Sequence, residues 1–224
     1  MSLFSRKKLF KLPPQGSLEP HSRDDPLPYY YYPLISYLYR RRIEQGLALL
    51  TPPYESILEL GYGSGVLLPT LASFGKTVSG IDIAAEPLKV MDRVKKIGAD
   101  VFLVQSDICD MPYPKESFDL VVAFSVFEHI ASVEQVIKKV FLLLKPGGHF
   151  LVGIPRTDIL MKIAFPLIGY CSIKEHHITD YRKFLRRAEK LFQLKRLVNM
   201  PSWAPRCLSL YFNMLFCKND DNGL

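Results

Sequence analysis

The chain of 224 residues is 48% apolar, 23% charged and 12% aromatic, which suits a folded domain with a full core and argues against disorder as its main state. No apolar run reaches the ~20 residues that a membrane-spanning helix needs, and the basic start Ser5-Arg-Lys-Lys-Leu-Phe-Lys leads into no signal-peptide core, so a secreted protein is not expected. The net charge of +7 is uneven: residues 1–50 carry +4 and residues 174–206 carry +6, around a middle segment 51–173 of −2.

Residues 1–28 contain five prolines and no sustained periodicity, and read as loop. An aromatic segment follows, Tyr29-Tyr-Tyr-Tyr-Pro and Leu34 to Tyr39, either a tyrosine gate over a site or a packed helix. From Glu55 to Pro155 short apolar runs alternate with helical stretches. Strands are expected at 56–61, 77–83, 101–107, 118–124 and 149–154, and helices at 66–74 and 85–97. A third helix opens at Ser132, with Gln135 three residues on as a capping box, and stops at Lys145-Pro-Gly-Gly. An apolar insertion runs from Ile159 to Ile173, then a helix from about Tyr181 to Phe192, then strands at 194–199 and 208–216. Strands alternating with helices predict an α/β fold with a mostly parallel sheet and helices on both faces. The division expected is an N-terminal arm and cover helix over 1–50 and an α/β domain over 51–224, with the insertion near 156–178.

The most informative segment is Glu59-Leu-Gly61-Tyr-Gly63-Ser-Gly65, between the first strand and its helix. Glycines there let the backbone turn sharply and approach a ligand closely. The dinucleotide fingerprint G-x-G-x-x-G needs a glycine at position 66, where this chain has Val66. Glu59 would repel a pyrophosphate and would receive an amine. Asp82 ends the second strand, where a carboxylate can accept both ribose hydroxyls, and Asp107 ends the third, where it can accept from an adenine amino group. Three carboxylates at three strand ends fit an adenosine with a cationic, amine-bearing tail and no phosphate.

These residues carry a resemblance. Ile57-Leu-Glu-Leu-Gly-Tyr-Gly-Ser-Gly, Gly80-Ile-Asp82, Asp107-Ile-Cys-Asp-Met-Pro, Ser117-Phe-Asp-Leu-Val-Val and Leu144-Lys-Pro-Gly-Gly-His-Phe occur in order over residues 55–155. The stretch resembles the class I S-adenosylmethionine-dependent methyltransferases, in particular their small-molecule branch. The resemblance implies a Rossmann-like seven-stranded sheet whose last strand is antiparallel, with S-adenosylmethionine as cofactor and S-adenosylhomocysteine as product. It further implies that Gly61, Gly63 and Gly65 line the methionine moiety beside Glu59 and Tyr62. Asp82 would bind the ribose with Ile83 against the adenine, Asp107 and the Ile108 backbone would read the adenine edge, and Phe124 and Ser125 would floor the site. Tyr62 departs from the family, which more often has a small or acidic residue there.

Methyl transfer needs a general base only where the acceptor must lose a proton. His129, in Phe127-Glu-His-Ile, is the candidate, on the side where the acceptor should sit. His176 and His177 are adjacent, and neighbouring side chains on a strand point apart, so no metal site is read from them. Four cysteines lie far apart with no CxxC pair and read as reduced thiols of a cytoplasmic protein. After the fourth strand stands Ala123-Phe-Ser-Val, unlike the Asn/Asp-Pro-Pro-Tyr or Pro-Cys of base-modifying enzymes. The apolar insertion favours a small apolar or aromatic acceptor methylated at oxygen or carbon. With the amphipathic start it also allows peripheral contact with a membrane surface. Arg40-Arg-Arg and Arg182-Lys…Arg186-Arg keep a nucleic-acid substrate as an alternative. A cofactor-binding protein without catalysis is the other.

Overall fold

The computed structural model describes residues 8–33, 35–156 and 179–219. The insertion, His176, His177, Cys171 and the first seven residues lie outside them. Seven strands form one sheet: β1 (Tyr54–Leu60), β2 (Gly75–Asp82), β3 (Phe102–Gln105), β4 (Phe118–Phe124), β5 (Leu144–Pro155), β6 (Phe192–Met200) and β7 (Tyr211–Lys218). Their order is β3-β2-β1-β4-β5-β7-β6. The first five run parallel, and β7, the last strand in sequence, runs antiparallel between β5 and β6. This is the expected fold class. Strand order reverses between β1 and β4, so their carboxyl ends open a crevice where loops diverge to either side.

Both faces of the sheet are apolar, as a helix-covered parallel sheet requires. Ile57, Leu120 and Val122 face α1 (Ile35–Leu47), α2 (Leu68–Leu71) and α3 (Pro87–Lys96). Leu58, Val121 and Phe150 point the other way, to α4 (Val133–Leu143) and α5 (Tyr181–Ala188). The alternation follows from the period of two along a strand, and it places Glu59 on the same face as Ile57. Phe184 of α5 is fully buried, 4.6 Å from the Phe127 ring and 6.2 Å from Phe150. Such burial contributes about 1.5–3 kcal/mol for each large side chain.

The arm is part of this core. Phe10, Leu18, Leu27 and Tyr30 are buried with Leu47 and Leu68. The backbone N–H groups of Leu9 and Phe10 donate to the Glu44 carboxylate, and Lys11 N donates to Thr70 Oγ1 at 2.9 Å. Of the tyrosine run, Tyr30 is a packing residue, whereas Tyr32 is 52% exposed.

Three local expectations are corrected. The helix expected over 66–74 shrinks to Leu68–Leu71, flanked by turns that bond three residues apart (Leu68 N to Gly65 O, Phe74 N to Leu71 O). The capping box does not form: Ser132 makes no side-chain cap bond, and its hydroxyl instead meets the Cys109 thiol. The third helix stops at Leu143, just ahead of Lys145-Pro-Gly-Gly, but the strand expected at 149–154 begins earlier, at Leu144, and its ladder with β4 shifts register between Phe118 and Leu120. Of the thiols described, Cys109 and Cys217 are half-buried and Cys207 is exposed, all unpaired with one another.

Candidate active site

The carboxyl ends of β1, β2 and β4 bring most of the sequence-predicted residues together. Gly61, Gly63 and Gly65 have φ of +70°, +50° and +82°, a region that favours glycine. Position 61 has a second reason: a Cβ there would lie 2.6 Å from Val126 Cγ2, so the turn after β4 presses directly on the loop.

Glu59 is buried below this loop, and its Oε2 has no hydrogen-bond partner. Burial, and then the charge of Asp82, raises its carboxyl well above the ordinary range. An unpartnered buried carboxyl is costly unless a cation or donor arrives to meet it.

Asp82 has a larger structural task than the sequence reading gave it. Its Oδ2 accepts from Gly63 N at 2.9 Å, and its Oδ1 accepts from Ala84 N and Ala85 N at 2.8 and 3.0 Å. A carboxylate offers about four acceptor positions, so Asp82 staples the glycine loop to the β2–α3 turn and retains limited capacity for a ribose. Tyr62 lies beneath the loop, 2% exposed, against the α-carbon of Gly80, and donates from Oη to Ala85 O at 3.1 Å. Its side chain braces the loop from below. Ile83 stands 69% exposed at the mouth. Asp107 is exposed, with Oδ1 accepting from Cys109 N at 2.7 Å, and Ile108 beside it is half-buried.

Phe124 ends β4 and Ser125 follows it, beside the glycine loop. Cβ atoms at Gly46 and Gly153 would fall 2.7 and 2.4 Å from the Phe124 ring, so only glycine admits that ring between α1 and β5. Ser125 has φ +57°, held by Ser125 N donating to Gly153 O at 2.9 Å. His129 ends the following turn on the exposed side, whereas Glu128 before it is 1% exposed.

Sequence reasoning missed two groups here. From the arm, His21 and Asp25 close over the loop: the His21 ring lies 3.4 Å from where a Gly63 Cβ would be, and Asp25 accepts from the His21 ring, from Leu27 N at 2.7 Å and from Ser64 Oγ at 3.3 Å. Hydrogen bonding to Asp25 raises the His21 pKa against the opposing effect of burial. Burial alone would raise the Asp25 carboxyl, but His21 and the backbone donors hold it below its ordinary value. The second group is Arg42, Glu128, Tyr211 and Asn213 under α1. A polar Asn213 within the apolar strand Tyr211–Lys218 was a readable signal for it. Arg40 also turns inward, donating to Tyr30 O at 3.0 Å, so two of the three arginines at 40–42 serve the interior instead of a basic surface.

An α/β crevice at a strand-order switch, with a glycine turn, a buried unpartnered carboxyl and a carboxylate at the next strand end, has the chemistry to receive a ligand that carries a nucleoside and a cation. A family model described as "Methyltransferase domain" matches residues 58–152. Over those residues the chain is similar to methyltransferase domains. It is 29% identical over 142 residues to a ubiquinone biosynthesis O-methyltransferase of Vibrio parahaemolyticus, covering 61% of this chain and 60% of that protein. With the same-named protein of Vibrio atlanticus it shares 28% over 166 residues, 72% of this chain and 68% of that one. The chain thus spans about three-fifths of the first of these relatives. Among solved structures, N-methyltransferase NodS of Bradyrhizobium japonicum, in complex with S-adenosyl-L-homocysteine, superimposes with TM-score 0.64 at 18% identity over 88% of this chain and 94% of that one. The [4+2]-cyclase SpnF superimposes with TM-score 0.62 at 15% identity over 80% of each chain. These likenesses show the fold, and the second belongs to a protein named for a different reaction.

Proposed function

We propose that this chain is an S-adenosylmethionine-dependent methyltransferase acting at oxygen on a small aromatic or apolar acceptor. One observation carries the reading: the buried Glu59 Oε2 has no partner beside a glycine loop at the strand-order switch. That is the fit expected for a ligand that brings an amine and no phosphate. Glu59 would meet the amine, the loop backbone 61–65 the methionine chain, Asp82 the ribose, and Ile83, Asp107 and Ile108 the adenine. Phe124 and Ser125 would close the floor. When bound, the cofactor supplies a methyl group on a sulfonium that is already a good leaving group. The protein contributes alignment and exclusion of water, the latter from the arm segment around His21 and Asp25.

Oxygen is preferred over carbon because the Vibrio relatives are named O-methyltransferases. A nucleic-acid acceptor is disfavoured because Arg40 and Arg42 are engaged internally. We read 1–50 as an arm and cover helix that packs on 51–224, and the protein as cytoplasmic. Exposed Trp203 and Leu208, beside Arg206, support contact with a membrane surface, the site of an apolar acceptor. Among the described residues no helix is long and apolar enough to cross a membrane.

The test is transfer of a tritiated methyl group from the cofactor to three acceptor pools: catechols and phenols, a lipid extract, and total RNA. Label in the phenol or lipid pool is expected. Label confined to RNA, or cofactor binding with no transfer to any pool, would overturn the reading.

A further inference from the structure

Beside the cofactor crevice, six side chains from four parts of the chain meet at one point. Arg42 of α1 donates from Nη1 to Ser125 Oγ at 3.0 Å and from Nη2 to Tyr30 Oη at 3.3 Å. Ser125 Oγ is also 3.1 Å from Tyr211 Oη. The guanidinium lies 4.2 Å from the Tyr39 ring centre and 5.4 Å from that of Tyr211. Two polar atoms of this group are left over: Arg42 Nε and Glu128 Oε2 are buried with no partner. Orphaned buried groups are rare in folded proteins, and the Arg42 charge acts on the Glu128 carboxyl, so the spare donor and the spare acceptor share one environment. The turn that carries Ser125 and Glu128 also carries Val126, which presses on Gly61, so this point adjoins the glycine loop.

We propose that this cluster receives the reacting hydroxyl of a phenol-like acceptor, with Glu128 Oε2 as the base that takes its proton. This rests on the O-methyl transfer reading and deepens it. The rings of Tyr30, Tyr39 and Tyr211 already surround the Arg42 guanidinium at 5.9, 4.2 and 5.4 Å, an environment suited to an aromatic acceptor. Arg42 disfavours a cationic amine and favours an oxygen that is becoming negative. In the step, the acceptor O–H bond breaks, the proton joins Glu128 Oε2, and the electron pair stays on the acceptor oxygen. The proton then passes to solvent.

The groups that face Glu128 are Arg42 from α1, Tyr211 from β7, the Ser125 hydroxyl and a backbone N–H. Burial raises the carboxyl, the backbone N–H, Arg42 and Ser125 draw it back, and the balance leaves it at about 8. Glu128 is therefore neutral in the resting protein at neutral pH and becomes a base as pH rises. A base of that strength suits a phenol, whose pKa is ~10, and not an aliphatic alcohol nearer to water at ~15.7.

The test uses the full chain, wild type and Glu128→Gln. Infrared difference spectra of the ligand-free protein follow the protonated-carboxyl C=O stretch from about pH 6 to 9.5. A band that titrates with a midpoint near 8 and is missing from E128Q is expected, and a wild type without that band overturns the proposal. 4-Nitrocatechol, whose phenolate absorbs visible light, is then titrated in the presence of S-adenosylhomocysteine. Wild type should bind it with a pH step that E128Q lacks, and methyl transfer to catechol should fall ~10²–10³-fold in E128Q while S-adenosylhomocysteine affinity changes less than about twofold. The same pH step in both proteins, or no binding to either, overturns the proposal. If wild type fails to bind S-adenosylhomocysteine, the functional reading itself fails, and the infrared titration still decides Glu128. Should E128Q not fold, Arg42→Met must move the carboxyl midpoint upward, and an unmoved midpoint overturns the assignment.

Discussion

Gly61→Ala separates two costs that the glycine loop avoids. The substitution forces an L-residue to φ +70° and places its Cβ 2.6 Å from Val126 Cγ2. Left-handed backbone costs a residue other than glycine ~1–2 kcal/mol, and overpacking a tight contact costs ~1–3 kcal/mol, so G61A should lose ~2–5 kcal/mol. Gly98→Ala is the internal control, because Gly98 has φ +85° and nothing within 4 Å of a Cβ. It should lose only the backbone part, ~1–2 kcal/mol. Val126→Ala removes the clashing methyl, so the pair G61A/V126A should show a favourable coupling of ~1–3 kcal/mol in a double-mutant cycle. Urea denaturation with linear extrapolation reads wild type and the four variants. Should G61A cost no more than G98A, or should V126A fail to couple with it, the close approach of the 125–128 turn to the loop would be refuted.

Further predictions concern pH. The raised His21 pKa contributes stability that is complete below ~6.5 and is lost as pH rises through the folded value, while the lowered Asp25 contributes above ~3.9 and is lost as pH falls. His21→Ala should therefore lower Tm more near pH 5.5 than near pH 9, and an equal deficit at both would contradict the latch. At the other end of the sheet, Asp119 accepts from Lys145 Nζ at 3.0 Å and from Ser56 N and Oγ at 2.8 Å. Burial would raise its carboxyl, but Lys145 and Ser56 hold it low. Asp119→Asn should lose ~1 kcal/mol or less near pH 7 and nothing near pH 2, as read by denaturation; a loss that persists in acid would point to packing.

Much of this was legible because strands and turns are local. The run Phe118–Phe124 was bounded to the residue by its short, nearly continuous apolar stretch, and the glycine spacing located the crevice. What the sequence hid depends on partners distant along the chain. Arg42 sits in a run of three arginines that looks like a solvated face, and only its contacts with Ser125, 83 residues on, turn it inward. Ser132 carries the letters of a cap, but Cys109 competes for its hydroxyl. Asp82 was readable as a ligand to a ribose and unreadable as a staple, since its donors at Gly63, Ala84 and Ala85 exist only once the loop has closed. For that reason Asp82→Ala would disturb the loop as well as any ligand contact. The more discriminating probe is Glu59→Gln, which keeps the shape and removes the ionisable carboxyl.

The most direct measurement is calorimetric titration of wild type and Glu59→Gln with S-adenosylhomocysteine in two buffers of different ionisation enthalpy. Burial and the charge of Asp82 raise the Glu59 carboxyl well above its ordinary range in the free protein, so receiving a cationic amine should pull it back down and favour release of a proton. Wild type should bind with a buffer-dependent heat, and E59Q should bind at least about tenfold more weakly, a loss of ~1.4 kcal/mol, with that dependence gone. A folded wild type that takes up no S-adenosylhomocysteine, or an E59Q that binds it unchanged with the same proton release, would contradict the cofactor site built around Glu59.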